Sequence, residues 1–579
     1  MAETRMSASL GPLQAVVDAA VEEMVAAQVV PRIWAKDHSL WKPDPREISN
    51  RLGWLTVADE MHGQIGRLQT FARQVREDGI THVVLLGMGG SSLGPEVLRC
   101  TFGSARGFPR LFVLDSTVPG TVREVTQALR PAKTLFILAS KSGGTIEVMS
   151  LYAHFRALVD KTRGNRGGAQ FIAITDPGTG LAALAREQRF RDTFVNPPDI
   201  GGRYSVLSYF GLVPAALLGL DLAALLGRGI EMARACGAQV PPQQNPGARL
   251  GAVMGTLGRL GRDKVTLLAS PKIKSYGLWA EQLLAESTGK EGKGLVPVAE
   301  EPLGKPSAYG EDRLFVYLRL NGDANTVTDR QVKALEKSGQ PVVRLELRDR
   351  YDLAAEFFRW EFATAVAGRA LGIHPFDQPN VQESKENTSR ILEEFKTRGR
   401  LPEIPSGGSL ADLLAQARPG RYLAVLAYLR FSSKADQAVK TLRRTLLVRH
   451  RLTTTAGYGP RYLHSTGQLH KGGPPSGLFL QLVERMVPDL PIPGVPYTFG
   501  ILAQAQAAGD YQSLQAHGRP VVRVDLGPQG PAGIAGVARV STRRGARVAA
   551  KRPVKRAAGK RSGAKRKVKR AARRRPRSR

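Results

Sequence analysis

The sequence predicts an α/β protein with two doubly wound parallel-sheet domains, a smaller C-terminal α/β unit and a disordered basic tail. Apolar, β-rich runs alternate with helical stretches from residue 82 onward, which is typical of parallel sheets covered on both faces. The 579 residues exceed what one small core can organise. Residues 541–579 contain 19 Lys or Arg, no Asp or Glu and few large apolar side chains, so they cannot build a core.

Most of the excess positive charge belongs to the tail. The whole chain carries a formal net charge of +34 and the tail supplies +19, so residues 1–540 carry +15. The body is therefore moderately basic. The tail indicates either non-specific binding to nucleic acid or another polyanion, or a merely solubilising extension.

Cysteine usage and hydropathy restrict the compartment. Cys100 and Cys236 are the two cysteines, with no CxxC and no Cys/His metal spacing. This argues against a disulfide framework and a structural zinc site, and favours a reduced, cytoplasmic setting. The sequence has no run of about 18 uncharged apolar residues, so we expect no membrane span.

Residues 1–240 are expected to hold N-terminal helices and the first sheet domain. An amphipathic helix is predicted near residues 10–30 and a second one near 57–75. Four buried strands are predicted at residues 83–86, 111–114, 135–139 and 171–174. Parallel strands of this kind bind ligands at their carboxyl ends.

The polar turn at residues 140–145 is a candidate phosphate cradle. It follows a predicted buried strand and precedes a helix, and it offers the side chains of Ser140, Lys141, Ser142 and Thr145. A helix start has unpaired N–H groups and partial positive charge, which favour an anion. The alternative is an ordinary capped turn between strand and helix.

A second glycine-rich turn, at residues 87–94, follows the first strand of the same sheet. It brings Gly90 and Ser91 to the same sheet edge as the candidate cradle. The dinucleotide fingerprint GxGxxG fails here because Ser92 stands at the third glycine position. Two such turns at one edge favour a phosphorylated ligand.

Arg203 follows two glycines and stands at the mouth of a long helical region. It could reach inward over a ligand, or it could cap or solvate a helix.

Residues 241–400 are expected to form the second domain. Its predicted strands lie at residues 265–268, 314–318 and 342–345, and a helix is predicted at 354–371. Gln282 and Glu286 are four residues apart and share one helical face. The helix dipole near the C-terminal end disfavours negative charge on Glu286, which suits a proton acceptor, although a solvated last-turn Glu is the alternative.

Gln378 and Lys385 flank a predicted helix start at Pro379. They are seven residues apart, which is two helical turns, so both could face one cleft. They could equally be solvated polar residues.

Residues 401–408 are predicted to form a linker, and residues 409–535 the C-terminal α/β unit. Its strands are predicted at residues 422–429, 447–454, 478–483 and 521–524. His464 and His470 lie in a Gly- and Ser-rich segment. Hydrogen-bonding roles are favoured over a metal pair, because no Asp, Glu or Cys accompanies them.

Six segments of the chain carry a family resemblance when they are taken together: LGMGGSSLGP, SKSGGTIE, GGRYS, ESTGK, FDQPNVQESK and LHSTGQ. With them the chain resembles the glucose-6-phosphate isomerases, which have the sugar-isomerase fold. The resemblance is strongest to the isomerase portion of bacterial transaldolase/glucose-6-phosphate isomerase fusions. It extends over roughly residues 30–535, and no transaldolase portion is recognisable. It implies reversible isomerisation of glucose 6-phosphate and fructose 6-phosphate through a cis-enediolate, in glycolysis and gluconeogenesis, without metal or nucleotide cofactor. It also allows a homodimer.

The resemblance implies where the substrate binds. Ser140, Ser142 and Thr145 would hold the sugar phosphate, and Gly90 and Ser91 would line the adjacent sugar site.

It also implies roles in the chemistry. Glu286 matches the catalytic base, with Gln282 as a substrate contact, and Arg203 matches the Arg that stabilises the enediolate. Gln378 matches a substrate-binding Gln, and Lys385 the Lys linked to ring opening.

Two departures from the family pattern stand out. The ring-opening His of most members precedes the segment that contains Lys385, whereas His464, our candidate, follows it, with His470 in reserve. Gly144 replaces a Thr that many members carry, so backbone N–H groups are expected to do more of the phosphate binding.

The rival functions are another phosphosugar aldose-ketose isomerase and a non-catalytic sugar-phosphate sensor with a nucleic-acid-binding tail.

Overall fold

A computed structural model describes residues 6–537, so the predicted basic tail at 541–579 lies outside the described residues. The strands are β1 Met6–Ser9, β2 His82–Gly87, β3 Arg110–Leu114, β4 Thr134–Ala139, β5 Phe171–Thr175, β6 Asp192–Val195, β7 Lys264–Ala269, β8 Val296–Ala299, β9 Arg313–Leu320, β10 Val342–Leu347, β11 Tyr422–Tyr428, β12 Thr453–Tyr458, β13 Gly477–Val483 and β14 Val521–Asp525. The helices are α1 Gln14–Ala26, α2 Val29–Trp34, α3 Val57–His62, α4 Ile65–Glu77, α5 Gly90–Phe102, α6 Pro119–Ala128, α7 Ile146–Arg163, α8 Gly180–Glu187, α9 Tyr209–Leu218, α10 Leu222–Ala235, α11 Pro246–Arg259, α12 Tyr276–Thr288, α13 Thr326–Lys337, α14 Leu353–Leu371, α15 Pro379–Arg398, α16 Leu410–Leu414, α17 Ser433–His450, α18 Gly467–Gly472 and α19 Phe499–Ala516.

The first sheet has the strand order β3-β2-β4-β5-β6, and every neighbouring pair is parallel. Strand β4 is buried along its whole length, as its continuous apolar run predicts. Strand β6 is absent from the sequence prediction, because its four residues are short and half exposed. The predicted α/β class with parallel sheets is confirmed.

The second sheet has the order β1-β10-β9-β7-β8, with β1 antiparallel on its edge and the other strands parallel. Strand β1 is also absent from the prediction, since its residues MSAS contain no apolar run and alternate between half-buried and exposed.

The first long helix near the N-terminus, α1, begins only at Gln14. The single helix predicted at residues 57–75 is two helices, α3 and α4, separated at Gly63 and Gln64.

One continuous core joins the first two sheets through their helices. Helix α14 is buried along almost its entire length, including the fully buried rings of Phe357, Phe358, Trp360 and Phe362. Burying an aromatic side chain of this size contributes about 1.5–3 kcal/mol. The first and second sheets therefore share a core and cannot move independently without exposing it.

The third sheet has the order β12-β11-β13-β14, all parallel. The strand predicted at residues 447–454 is wrong: helix α17 continues to His450 and β12 begins at Thr453. Leu442 and Leu446, four residues apart, are both fully buried on one face of α17, and this face extends the helix through the apolar run.

Each sheet, together with the segments that connect its strands or directly follow them, is called a unit, and the third sheet packs against both of the others. Phe499 and Leu502 of α19 share a core with Leu138 of the first sheet. Glu301, after β8, accepts a 2.8 Å hydrogen bond from the N–H of Thr454 in β12.

Within residues 6–537, no helix combines the length and the apolarity needed to cross a bilayer.

The close approach of α5 to the segment of Arg203 gives a testable prediction. A Cβ on Gly90 would lie 1.9 Å from the carbonyl oxygen of Gly202. We expect Gly90→Ala to lower the free energy of unfolding by about 1–3 kcal/mol, because two backbone segments must separate. Urea denaturation followed by tryptophan fluorescence measures this change.

Gly180→Ala is the matched control, since Gly180 also begins a helix but a Cβ there meets nothing within 4 Å. This variant should be neutral or stabilising by about 0.4–1 kcal/mol. Equal stability of the two variants would contradict the close packing of α5 on Gly202.

Candidate active site

The loop at residues 140–145, the candidate phosphate cradle, connects β4 to α7. Ser140 Oγ lies 2.9 Å from Thr145 Oγ1 and accepts a 3.1 Å hydrogen bond from the N–H of Gly143. Gly143 has φ +73°, a conformation that favours glycine. Thr145 makes no side-chain cap to α7 and Ser142 is exposed, so the N-terminal donors of the helix remain available to an anion.

Lys141 points away from this turn. Its Nζ forms an ion pair with Asp176 and donates a 3.1 Å hydrogen bond to the carbonyl oxygen of Pro198. The structure thus ties Lys141 to neighbouring loops of the first sheet.

The turn between β2 and α5 touches segments that carry the other candidate site residues. Gly89 has φ +54°, and a Cβ there would lie 2.6 Å from the carbonyl oxygen of His464 and 2.9 Å from Nε2 of Gln282. Gly90 meets Gly202 in the same way, and Ser91 follows in the first turn of α5, where it is buried. Absence of side chains lets this turn come close to segments from all three sheets.

Arg203 is buried in a one-turn helix, Gly202–Tyr204, with 1% of its side chain exposed. Its Nε donates to Ser287 Oγ at 2.7 Å, and Nη1 donates to Gln378 Oε1 at 2.8 Å. Its Nη2 donates to the carbonyl oxygens of Pro375 and Asp377 at 2.8 and 3.0 Å. Of the two alternatives left open by the sequence, the structure therefore shows the inward-pointing Arg.

Glu286 lies in the last turn of α12, within reach of Arg203. Its Oε1 is 3.7 Å from Nη1 of Arg203, and its Oε2 accepts a 2.9 Å hydrogen bond from Nε2 of Gln282. The same Nε2 donates to the carbonyl oxygen of His464 at 2.9 Å. Glu286 is therefore a nearly buried carboxylate beside a fixed cation, with the predicted pairing to Gln282.

Gln378 immediately precedes α15, as the proline at 379 predicts, and its amide oxygen is held by Arg203. Lys385 lies two turns further along α15 and is exposed. The positive charge of Lys385 reaches Glu147, where it lowers the pKa of the carboxyl. Gln378 and Lys385 thus stand at the start of α15 and two turns along it, and a shared cleft stays a prediction.

His464 ends a one-turn helix, Arg461–His464, in the third unit, and its Nε2 lies 2.8 Å from Oε1 of Glu147 in α7. Burial alone raises the pKa of Glu147, but the charge and hydrogen bond of His464 outweigh it and lower the pKa below its ordinary value. Gln506 donates to the same Oε1 at 2.7 Å. His464 is therefore held against a buried carboxylate that directly follows the turn at residues 140–145.

Sequence reasoning missed Glu147. An acidic residue in the first turn of a helix is usually a simple dipole partner, and nothing in SKSGGTIE distinguishes this one. The signal that could have found it is its place directly after the candidate cradle, in the first turn of α7.

His470, the reserve candidate, lies elsewhere. Its ring is buried between Tyr462 and Phe479, with centroids 6.0 and 5.1 Å away. Burial and the charge of Lys471 lower the pKa of His470 well below its ordinary value. His470 is thus a neutral core side chain, and no group of three potential metal-ligating side chains occurs within residues 6–537.

Lys290 supports the segment that ends at Gln378. Its Nζ donates to the carbonyl oxygens of His374 and Asp377, both at 2.6 Å. Burial and the charge of Arg203 lower the pKa of Lys290 to about 7. A buried ammonium therefore fixes the loop whose carbonyl groups hold Arg203.

The arrangement combines the candidate anion-binding turn with a carboxylate, a permanent cation and a histidine-carboxylate pair. Such a set can anchor a phosphorylated substrate at one end and move protons at the other, with a cation to stabilise negative charge as it develops. The groups come from all three units of one chain.

The chain has relatives among known proteins. A family model described as phosphoglucose isomerase matches residues 56–292. The glucose-6-phosphate isomerase of Rubrobacter xylanophilus is 32% identical over 367 residues, which cover 55% of this chain and 84% of the relative. The glucose-6-phosphate isomerase of Carboxydothermus hydrogenoformans is 29% identical over 386 residues, covering 57% and 82%.

Solved structures show the same fold. A hypothetical protein from Thermus thermophilus superposes with a TM-score of 0.57 at 23% identity, covering 67% of this chain and all of that one. A glucose-6-phosphate isomerase from Chlamydia trachomatis superposes with a TM-score of 0.51 at 19% identity, covering 64% and 78%. By its sequence relatives, the chain belongs to the glucose-6-phosphate isomerase family.

Proposed function

We propose that this chain interconverts glucose 6-phosphate and fructose 6-phosphate, an aldose-ketose isomerisation that moves a proton between C2 and C1. The observation that carries the proposal is the convergence of Glu286, Arg203 and His464 beside the turn at residues 140–145. A binding protein has no need of a carboxylate beside a buried cation, whereas isomerisation through an enediolate needs both.

Substrate anchoring is assigned to the phosphate turn. Ser140, Ser142 and Thr145, with the N-terminal N–H groups of α7, would bind the phosphate, and Gly90 and Ser91 would border the sugar. This places the reacting carbons at a fixed distance from the anchor.

Ring opening is assigned to His464 and Lys385, which move protons between the ring oxygen and the anomeric hydroxyl. Glu286 then takes the proton from C2, leaving a cis-enediolate, and returns it to C1, while protons exchange between the two oxygens. Arg203 stabilises the negative charge of the enediolate. Gln282 and Gln378 contact the hydroxyl groups of the substrate.

Replacement of the base tests the reaction directly. We expect Glu286→Gln to lower kcat by about 10²–10⁴-fold, because the amide cannot accept the proton. Binding of 6-phosphogluconate, which carries the same phosphate, should be nearly unchanged. A coupled assay of fructose 6-phosphate conversion and calorimetric titration measure the two quantities.

Glu291→Gln is the control for this variant, because Glu291 pairs with Lys42 on the surface just beyond α12. Its kcat should equal that of the unaltered chain. Undiminished turnover in Glu286→Gln would refute the assignment of the base.

Replacement of the histidine tests ring opening. We expect His464→Gln to lower both turnover and the anomerisation of fructose 6-phosphate, the latter by about 10²-fold or more, since Gln transfers no proton. Exchange spectroscopy measures anomerisation separately from isomerisation. His517→Gln is the control, because Nε2 of His517 also lies 2.8 Å from a carboxylate, that of Glu383, but the pair is one-third exposed.

Mixing inactive chains tests whether one chain completes the site. His464 and Glu286 are brought together within a single chain, so a mixture of His464→Gln and Glu286→Gln chains should stay inactive. Recovery of activity on mixing would show that the site is shared in a homodimer.

For the tail at residues 541–579, we propose non-specific polyanion binding, supported by its charge of +19. The intact chain should retard a DNA duplex at about 50 mM salt and release it at higher salt, and a chain ending at residue 540 should not. Equal retardation by both chains would place the binding on the body.

The unpaired thiols of Cys100 and Cys236 support a reducing setting such as the cytoplasm.

A further inference from the structure

A buried ion pair lies close to His464 in the chain and takes no part in the proposed reaction. Lys471 Nζ is 2.7 Å from Oδ1 of Asp510, and 1% and 0% of the two side chains are exposed. Lys471 lies in the short helix α18, and Asp510 lies in α19. Replacing a buried ion pair by apolar side chains of similar volume is often neutral or stabilising, so stability alone does not explain why these two charges are buried.

The second oxygen of Asp510 holds the other end of the segment that carries His464. Oδ2 accepts a 2.7 Å hydrogen bond from the hydroxyl of Tyr462, a buried residue of the one-turn helix that ends at His464. Tyr462 precedes His464 by two residues, and Lys471 follows it by seven. One carboxylate therefore fastens residues 462–471 to α19 at both ends.

The same face of α19 also holds the partner of the imidazole. Gln506 lies one turn before Asp510, so the two side chains share one face of the helix. Nε2 of Gln506 donates a 2.7 Å hydrogen bond to Oε1 of Glu147, and Oε1 of Gln506 accepts one of 2.7 Å from Thr117. Helix α19 therefore holds both the segment around His464 and the carboxylate that lies 2.8 Å from its Nε2.

We propose that Asp510 is a positioning residue for ring opening, which through Tyr462 and Lys471 holds His464 against Glu147. The inference rests on the proposed function, since it assigns Asp510 to the proton transfer made by His464. A misplacement of about 1 Å can cost about 10²-fold in rate, so a fully buried carboxylate that cannot reach the substrate can still control the reaction. The ion pair is then kept for geometry and not for stability.

Asp510→Asn tests the proposal. The amide keeps one acceptor oxygen, but its NH₂ group faces a donor, so either Tyr462 or Lys471 loses its bond. We expect the anomerisation of fructose 6-phosphate, measured by exchange spectroscopy, to fall about tenfold or more. Binding of 6-phosphogluconate, measured by calorimetric titration, should be nearly unchanged, because the turn at residues 140–145 is not altered.

A double variant separates positioning from a general loss of packing. If Asp510 acts only through His464, adding Asp510→Asn to His464→Gln should leave the residual anomerisation unchanged. A merely structural defect would lower anomerisation by the same factor in both backgrounds. Such an equal loss, or an Asp510→Asn chain that anomerises as fast as the unaltered chain, would overturn the proposal and leave the isomerase assignment standing.

Tyr462→Phe keeps the test open in case Asp510→Asn does not fold. It removes one hydroxyl and leaves the ion pair, so anomerisation should fall about two- to tenfold, the range for one hydrogen bond. Tyr511→Phe is the matched control, since it removes from α19 the hydroxyl of a buried Tyr whose partner is Gln515. Tyr511→Phe should anomerise as fast as the unaltered chain, and the same result for Tyr462→Phe would overturn the proposal.

The imidazole signal of His464 in nuclear magnetic resonance reports its position without turnover. In chains with isotope-labelled histidine, the signal of His464 is the one that His464→Gln removes. Asp510→Asn should shift this signal and leave that of His517 in place, and an unshifted signal would overturn the proposal. A shifted signal in a chain without isomerase activity would support the positioning by Asp510 and refute the proposed function.

Discussion

The site depends first on the burial of Arg203. A guanidinium cannot lose its proton in a protein, so its burial requires acceptors for its donors. The acceptors come from Ser287 at the end of α12, from the carbonyl groups of Pro375 and Asp377, and from Gln378. Leaving such a charge without partners costs about 3–5 kcal/mol. The position of Arg203 therefore fixes the first unit against the helix of Glu286 and the start of α15.

The same network explains why Lys290 is buried nearby. Two cations so close together repel each other, and this repulsion adds to burial in lowering the pKa of Lys290. The carbonyl groups and the carboxylate of residues 374–377 accept hydrogen bonds from both cations. A loop that satisfies two buried cations has little freedom, so Gln378 at its end is held in place before any substrate binds.

The sequence predicts a strand well where that strand is a continuous run of buried apolar residues. Strand β4 is apolar after its first residue, Thr134, and is predictable nearly to its ends. Strands β1 and β6 are short and half exposed, so their pattern resembles a loop. The apolar run at residues 447–454 fits a strand or the end of a helix equally well. The buried face of α17, set by contacts with the third sheet, decides between them.

The site is predictable where residues belong to one motif, as with Gln282 and Glu286. It is not predictable where the contact joins distant segments. Nothing local distinguishes Arg203 from a solvated Arg, since its acceptors lie 84 to 175 residues away. The sequence does not single out Glu147 for the same reason, because its partner His464 is 317 residues further along the chain.

The proposed ring-opening role of His464 is compatible with its place after Lys385 in the chain. A catalytic group must be in the right place, and the path of the chain to that place is free to vary. Here the third unit brings His464 to the turn at residues 87–94, where Gly89 has no side chain to obstruct it. Gln282 holds the carbonyl oxygen of His464, Glu147 holds its imidazole, and Gln506 holds Glu147 from α19. The third unit thus supplies both the histidine and part of its support, so loss of its packing on the first sheet would remove His464 from the site.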